Sequence, residues 1–458
     1  MAENYLPSND KFNLSSFIEG TIFGTALGVF SLYLFQYIDL ILKQPRLESK
    51  AVLTNISDFD SQETRALFIA AENLRSGIEE RRMGNGQVKK ILHAGYRNFR
   101  ESWGRDFGFA SYGLMALEDF QTTKDTLEAF FSYQTPEGQL PVKLHSLSIL
   151  DRFIHSILNR EQSIEGPLKP KYITGHGTAS LDGQGLLIIA AANYIHISRD
   201  DEFAQAMWGG LKRALDWLSA HVKDPHEGLL LQSAFSDWAD TIARSGRILY
   251  TNVIYWKALS EMVNLASRLE YSAQETELAT QKSRVEGANQ SRFWSQDLGY
   301  FVTGDNWRNL SSAGNLLTIA WGLASEDQSN SILDTMRSIG MAEPVPTRVV
   351  FPAYPSKYIS IENRLAGLAD YHTEAAWLWI GAWHTVALAH AGRHKEANQL
   401  LRRISEIVIR DQQVHEVYDV HGKPISRLWY KSESPLTWSA GMVVYAFQVI
   451  QKYQGQVS

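Results

Sequence analysis

The sequence predicts an all-α fold, a toroid of helical hairpins, preceded by an apolar N-terminal segment. Three observations carry this. Apolar residues recur at helical spacing in about twelve segments between residues 61 and 452. Period-two alternation with β-branched residues is confined to short pieces such as "TRVVF" and "RLWY". The connections alternate between short and long, and the long ones hold the Gly, Pro, His and Asp. Such loops, gathered on one rim of a ring of helices, are where a site is built.

Taken in order, residues 1–16 read as a flexible N-terminus and 17–42 as a hydrophobic helix. Within it, "GTIFGTALGVFSLYLFQYI", residues 20–38, carries no charge over nineteen residues, close to the ~20 that cross a bilayer core. Gly20, Gly24 and Gly28 fall four apart, a spacing that lets membrane helices approach closely. Lys11 is the only base ahead of this run, which fits a cleavable signal peptide poorly. A transmembrane or membrane-associated helix is therefore expected, with a buried helix of the globular domain as the competing use. Lys43, Arg46 and Lys50 mark the cytoplasmic side and put the large domain, residues 51–458, in the cytoplasm.

The large domain opens with "SQETRALFIAAENLRSGIEE", where Ser61 precedes an acidic first turn. Helices are then expected at 104–118, 123–134, 178–197, 202–221, 247–270, 275–293, 311–324, 327–339, 372–391, 394–409 and 436–452. A formal charge of −6 over 458 residues leaves no basic footprint for nucleic acid. With no cysteine, disulfides, thiol catalysis and Cys-based zinc sites are excluded. The 13 Trp in a chain that is 11% aromatic suit either a large core or a cleft where sugar faces stack on indole rings.

Four loop-to-helix segments concentrate polar chemistry. In "ESWGRDFGFASYGL", residues 101–114, Arg105 can donate two parallel hydrogen bonds and Asp106 can accept from vicinal hydroxyls. Trp103 supplies an apolar platform beside them. In "TGHGTASLDGQGLLIIAAANY", residues 174–194, Asp182 sits where a Gly-rich loop enters an apolar helix. Partial desolvation there raises a carboxyl pKa and suits a general acid, while a helix N-cap is the plainer use of the same residue. "SAFSDWADTIARSGRILYTNVIYWKAL", residues 233–259, groups Asp237, Trp238 and Asp240 ahead of Arg244 and Arg247, for hydroxyl recognition or for capping and ion pairs. Near the C-terminus, "ADYHTEAAWLWIGAWHT" combines His372, Glu374 and Trp377, and "QVHEVYDVHGKP" and "SESPLTWSAG" add Glu416 and Glu433. Either glutamate can be the second carboxylate of a glycosidase pair, which in inverting enzymes stands roughly 6.5–9.5 Å from the first. Phosphate-loop, G-x-S-x-G and H-E-x-x-H signatures are absent from the sequence, and no metal or cofactor is expected.

In this order the four segments resemble the six-hairpin (α/α)6 glycosidases, above all the amylo-α-1,6-glucosidase domain of glycogen debranching enzymes. "SWGRDFGF" is similar to their W-x-R-D segment, which implies that Arg105 and Asp106 hold the terminal sugar. "ASLDGQGLLIIAAANY" resembles the helix start bearing the general acid, which implies that role for Asp182. "DWADTIARSGRILYTNVIYWKAL" is similar to a W-x-D segment, placing Trp238 and Asp240 on substrate. "YHTEAAWLWIGAW" resembles Y-H-x-G-x-x-W-P-W, with Glu374 in place of Gly and no Pro, and "VHEVYDVHGKP" points to Glu416 as general base, with Glu433 as the alternative. The resemblance covers roughly residues 90–450 and implies an inverting hydrolase of an α-glucosidic or related α-glycosidic bond. The altered motifs and the lack of a separate glucanotransferase or β-rich domain leave a small α-glycoside as open as a polysaccharide branch. Two rivals stand beside it: a sugar epimerase using His145, His176, His372 or His415 as acid and base, and a membrane-tethered carbohydrate binder without catalysis.

Overall fold

The computed structural model describes residues 31–46, 51–144, 149–162, 164 and 168–457. Its large domain is a closed double ring of helices. Six helices form the inner ring: α3 (Gly104–Ala116), α6 (Leu181–Ser198), α8 (Leu249–Arg268), α10 (Ser312–Ala320), α13 (Leu378–His390) and α15 (Thr437–Val457). Each packs on the next in that order, and α15 returns to pack on α3. The outer ring comprises α2 (Gln62–Ser76), α4 (Phe120–Ser132), α7 (Asp201–Ser219), α9 (Ser272–Phe293), α11 (Glu326–Ser338) and α14 (His394–Asp411).

Sequence dictates the layer. The inner α6, "LDGQGLLIIAAANYIHIS", and α13, "LWIGAWHTVALAH", are apolar on every side and buried almost throughout, as helices enclosed by other helices must be. The outer α14, "HKEANQLLRRISEIVIRD", turns Leu400, Leu401, Ile404 and Val408 inward and its charges to solvent. Where α3 crosses α15, Gly113 meets Gly441, and a Cβ at Gly441 would stand 2.7 Å from the Ala110 carbonyl oxygen. The two backbones touch because neither glycine carries a side chain.

Several boundaries differ from expectation. The helix α2 stops at Ser76, with Gly77 as its C-cap, a position where the Thr437 methyl leaves no room for a Cβ. The residues after it form a hairpin, β1 (Ile78–Arg82) with β2 (Val88–Leu92), registered Glu80 to Lys90. A helix expected from 372 starts at Leu378. Before it lie a turn and β10 (Ala376–Trp377), which pairs with β11 (Val417–Tyr418) and so brings the 416 region beside Trp377. In the other small sheets, β3 (Ser102–Trp103) pairs with β4 (Lys143–Leu144) and β4 with β5 (Pro170–Lys171), β6 (Trp294–Ser295) with β7 (Tyr300–Phe301), and β8 (Leu310–Ser311) with β9 (Val350–Phe351). A short α5 (Ile149–Leu158) and a further short helix, α12 (Ile361–Leu365), lie in long connections.

Residues 1–30, which hold the segment 1–16 and most of the apolar run, lie outside the described residues. Residues 31–42 are helical (α1), with Leu32, Tyr33, Phe35 and Leu40 exposed. No helix among the described residues is long and apolar enough to cross a membrane.

Candidate active site

A cavity of about 250 Å³ opens at the end of the ring where α3, α13 and α15 begin. Its walls are aromatic: Phe99, Trp103, Trp238, Trp377 and Trp438, with Tyr371 and Tyr430. Trp238 meets Trp377 edge-to-face at 5.7 Å, and His372 stacks on Trp377 at 5.3 Å. Lys143 Nζ sits 4.4 Å above the Trp103 ring and is held by Glu101 at 2.7 Å, fixing that wall from behind.

The polar groups enter from the helix starts and the loops before them. Arg105 and Asp106 stand in the first turn of α3 and line the cavity. Arg105 grips Asp182 with two bonds, Nε to Oδ2 at 2.6 Å and Nη2 to Oδ1 at 3.1 Å. Its remaining nitrogen, Nη1, lies 3.7 Å from Asp240 Oδ2. Burial pushes the Asp106 carboxyl up to about 7; the Arg105 charge opposes this and the charges of Glu416 and Asp240 add to it.

Asp182, expected as the general acid, stands behind the cavity wall. It is fully buried in the first turn of α6 and is not among the cavity-lining residues. Besides Arg105 it accepts from Ser180 Oγ at 2.7 Å, the Gly183 N–H at 2.8 Å and Tyr250 OH at 3.3 Å. A carboxylate so enclosed holds Arg105 in place and has no face toward a substrate. Asp240, on the loop before α8, does face the cavity, with 36% of its side chain exposed.

Glu416 lines the cavity from the residue before β11. Tyr371 OH donates to Oε1; Tyr430 OH at 2.5 Å and the Glu433 N–H at 3.0 Å donate to Oε2. Burial raises the Glu416 pKa to about 7 despite these three donors, which favour the anion. An ionised carboxylate offers roughly four acceptor positions, so one remains for a water or a substrate hydroxyl. Glu433, the alternative base, turns elsewhere. It is fully buried and accepts from the backbone N–H groups of Tyr96, Arg97 and Asn98. It pins the 96–98 loop, whose neighbour Phe99 is a cavity wall.

His372 lines the cavity with Nδ1 2.9 Å from Thr241 Oγ1, and burial holds its pKa well below the ordinary histidine value. Glu374 is exposed and outside the cavity lining, because the tight turn that bonds Thr373 and Ala375 N–H to Asp370 O throws its side chain outward. His176 lines the mouth, His415 does not, and His145 lies outside the described residues. The two tyrosines on Glu416 lie in "ADYHTEAAW" and "RLWY", where neither spacing nor motif marks them as its partners.

Residues 153–342 match the family model described as the bacterial alpha-L-rhamnosidase 6 hairpin glycosidase domain. Among solved structures, the chain is similar to a rhamnosidase from Klebsiella oxytoca with rhamnose bound, at 13% identity and a TM-score of 0.62. That match covers 86% of this chain, which spans only 65% of the rhamnosidase. The chain has the six-hairpin glycosidase fold. A mannosylglycerate hydrolase from Thermus thermophilus in complex with glucose matches at 13% identity and a TM-score of 0.59, covering 84% of this chain and 99% of the other. A glycosidase in complex with glucose matches at 16% identity and 0.60, covering 86% and 99%. No protein of curated function matches the chain in sequence. These likenesses carry the fold; they lend no support to the debranching-type resemblance.

Proposed function

We propose that the chain is a glycoside hydrolase that cleaves an α-glycosidic bond, glucosidic or closely related, with inversion. Asp240 protonates the leaving oxygen and Glu416, ionised, draws a proton from water on the opposite face of the sugar. The observation that carries this reading is the pair of carboxylates on one aromatic-walled cavity, Asp240 half-exposed and Glu416 with a free acceptor position. Arg105 and Asp106 bind sugar hydroxyls, Trp103, Trp238 and Trp377 pack on the ring, and Asp182 positions Arg105. The enclosed cavity, with two tyrosines raised on the base, suits a pyranose more than an open polymer groove.

An NMR time course on a panel of α-glucosides, α-mannosides and α-L-rhamnosides tests it. Release of a sugar whose first-formed anomer is inverted supports the scheme and names the glycone. A retained anomer removes Glu416 from the water-activating role. A product of unchanged mass favours the epimerase, for which His176 and His372 at the same cavity are the available pair. Membrane association through residues 20–38, with the domain on the side of Lys43 and Arg46, is the reading that the uncharged run and the exposed apolar side chains of α1 support. Loss of the protein from the membrane fraction when the run is given two aspartates would bear it out; unchanged fractionation would end it.

A further inference from the structure

The leaving group of the proposed reaction lies on the side of the proton donor, and the structure shows what walls that side. Ser360 N donates to Thr241 O at 2.8 Å, so the short helix α12 is fastened to the residue after Asp240. Glu362 and Asn363 of α12 line the outer cavity. Opposite, Thr174 and His176 belong to a turn closed by Thr174 N to Thr178 O at 2.7 Å, and Thr178 Oγ1 donates to Phe235 O at 3.2 Å. His176 stacks on Phe235 at 4.2 Å and 21°, an exposed flat ledge at the mouth. Glu362 is held as the anion by its own backbone N–H, by Ser360 and by nearby His176.

Apart from His176 beside Glu362, the charge on this outer half is acidic. Among the described lining residues Arg105 is the only Arg or Lys, and its charge is balanced by Asp182 and Asp240. At the rim, Arg427 is occupied by Gly367 O and Asp370. An approaching carboxylate meets Glu362, held as the anion, before it reaches Asp240. A hydroxyl-bearing leaving group meets two acceptors, an amide and a flat ledge, all suited to it.

We propose that this outer half is an aglycone subsite for a neutral polyhydroxylated leaving group, a second sugar or a polyol, and that Glu362 turns away leaving groups bearing a carboxylate. It rests on Asp240 as proton donor. The discriminating pair is a glycosylglycerol and the matching glycosylglycerate, which differ by one carboxylate, built on the sugar that the panel releases. In the intact protein, kcat/KM is expected to favour the glycerol compound by tenfold or more. The ratio should shrink severalfold in Glu362→Gln and invert in Glu362→Lys. A wild type that prefers the acid, or a ratio unmoved by either substitution, overturns the proposal. Saturation-transfer NMR with free glycerol and D-glycerate separates it from the catalytic reading. Without turnover on any glycoside, a binding preference that follows Glu362 keeps the subsite and ends the hydrolase; no such preference ends the subsite.

Discussion

Replacing each of the two aspartates flanking Arg105 by asparagine should produce opposite phenotypes. In Asp182→Asn a buried guanidinium loses the carboxylate that it grips at 2.6 and 3.1 Å and keeps Ser180 Oγ at 3.4 Å and Asp240 at 3.7 Å. Breaking a buried ion pair from one side costs about 3–5 kcal/mol, and because Asn still bonds Ser180 and Gly183 the low end, ~3 kcal/mol, applies. At roughly 2.1 cal/mol/K per residue, 458 residues give an unfolding entropy of about 1 kcal/mol/K, so Tm should fall by about 3 °C. Asp240→Asn removes a half-exposed group and should leave Tm within about 1 °C, while kcat drops by roughly 10²–10⁴. The assay is thermal unfolding beside turnover of two glycosides of the same sugar, one with a poor leaving group and one with a dinitrophenolate. Loss of a proton donor spares the dinitrophenyl compound, which departs unprotonated. An Asp182→Asn protein with wild-type Tm and a defect confined to poor leaving groups would refute this reasoning and return the acid role to Asp182.

The base should show in the pH profile. With Glu416 raised to about 7, kcat/KM falls as pH drops below that value, and Tyr430→Phe, which removes a donor to the anion, moves the limb upward by about one pH unit. The same carboxyl links to stability. Its folded pKa lies above its usual 4.5, so the wild type binds this proton more tightly when folded and loses stability as pH rises from 4.5 to about 7. At 1.36 kcal/mol per unit the loss is about 3 kcal/mol. Glu416→Gln should lack that decline, and its Tm should gain on the wild type between pH 5 and pH 8; parallel curves in a pH-stepped melt would contradict the assignment. At the α3–α15 crossing, Gly441→Ala sets a Cβ 2.7 Å from Ala110 O and should cost roughly 1–3 kcal/mol by overpacking, read by denaturant unfolding.

Helices enclosed on all sides were the most legible part of the sequence, because an unbroken apolar stretch such as α6 has one stable place in a ring of helices. Boundaries were less legible where a distant contact decides them. Nothing near Gly77 announces that Thr437 will press on it. The same limit explains the aspartates. Asp182 opens one apolar helix and Asp240 precedes another, and their surroundings separate only when Arg105, 77 positions before Asp182, grips the first and leaves the second facing the cavity. Glu416 and Glu433 look equivalent along the chain, yet only Glu416 is carried by the β10–β11 pair to the cavity wall. Glu374 was read as a binding residue from its neighbours, and a single tight turn sends it to solvent. The tyrosines on Glu416 come from two separate loops, and chain order alone does not bring Tyr371 and Tyr430 within 3.1 Å of each other.

The ring closes on its last helix, and this bears on how the protein is made. α15 fills the place between α13 and α3 and supplies Trp438 to the cavity, so a nascent chain released only as far as Ser434 holds Glu416 and Arg105 without that wall. Until Thr437 and the residues after it emerge, α3 and α13 present bare apolar flanks to solvent or to chaperones, and Gly113 has no partner. Ligand binding can therefore report completed synthesis: a ribosome-bound intermediate stalled before α15 should hold no sugar, however well the eleven ring helices before it have formed.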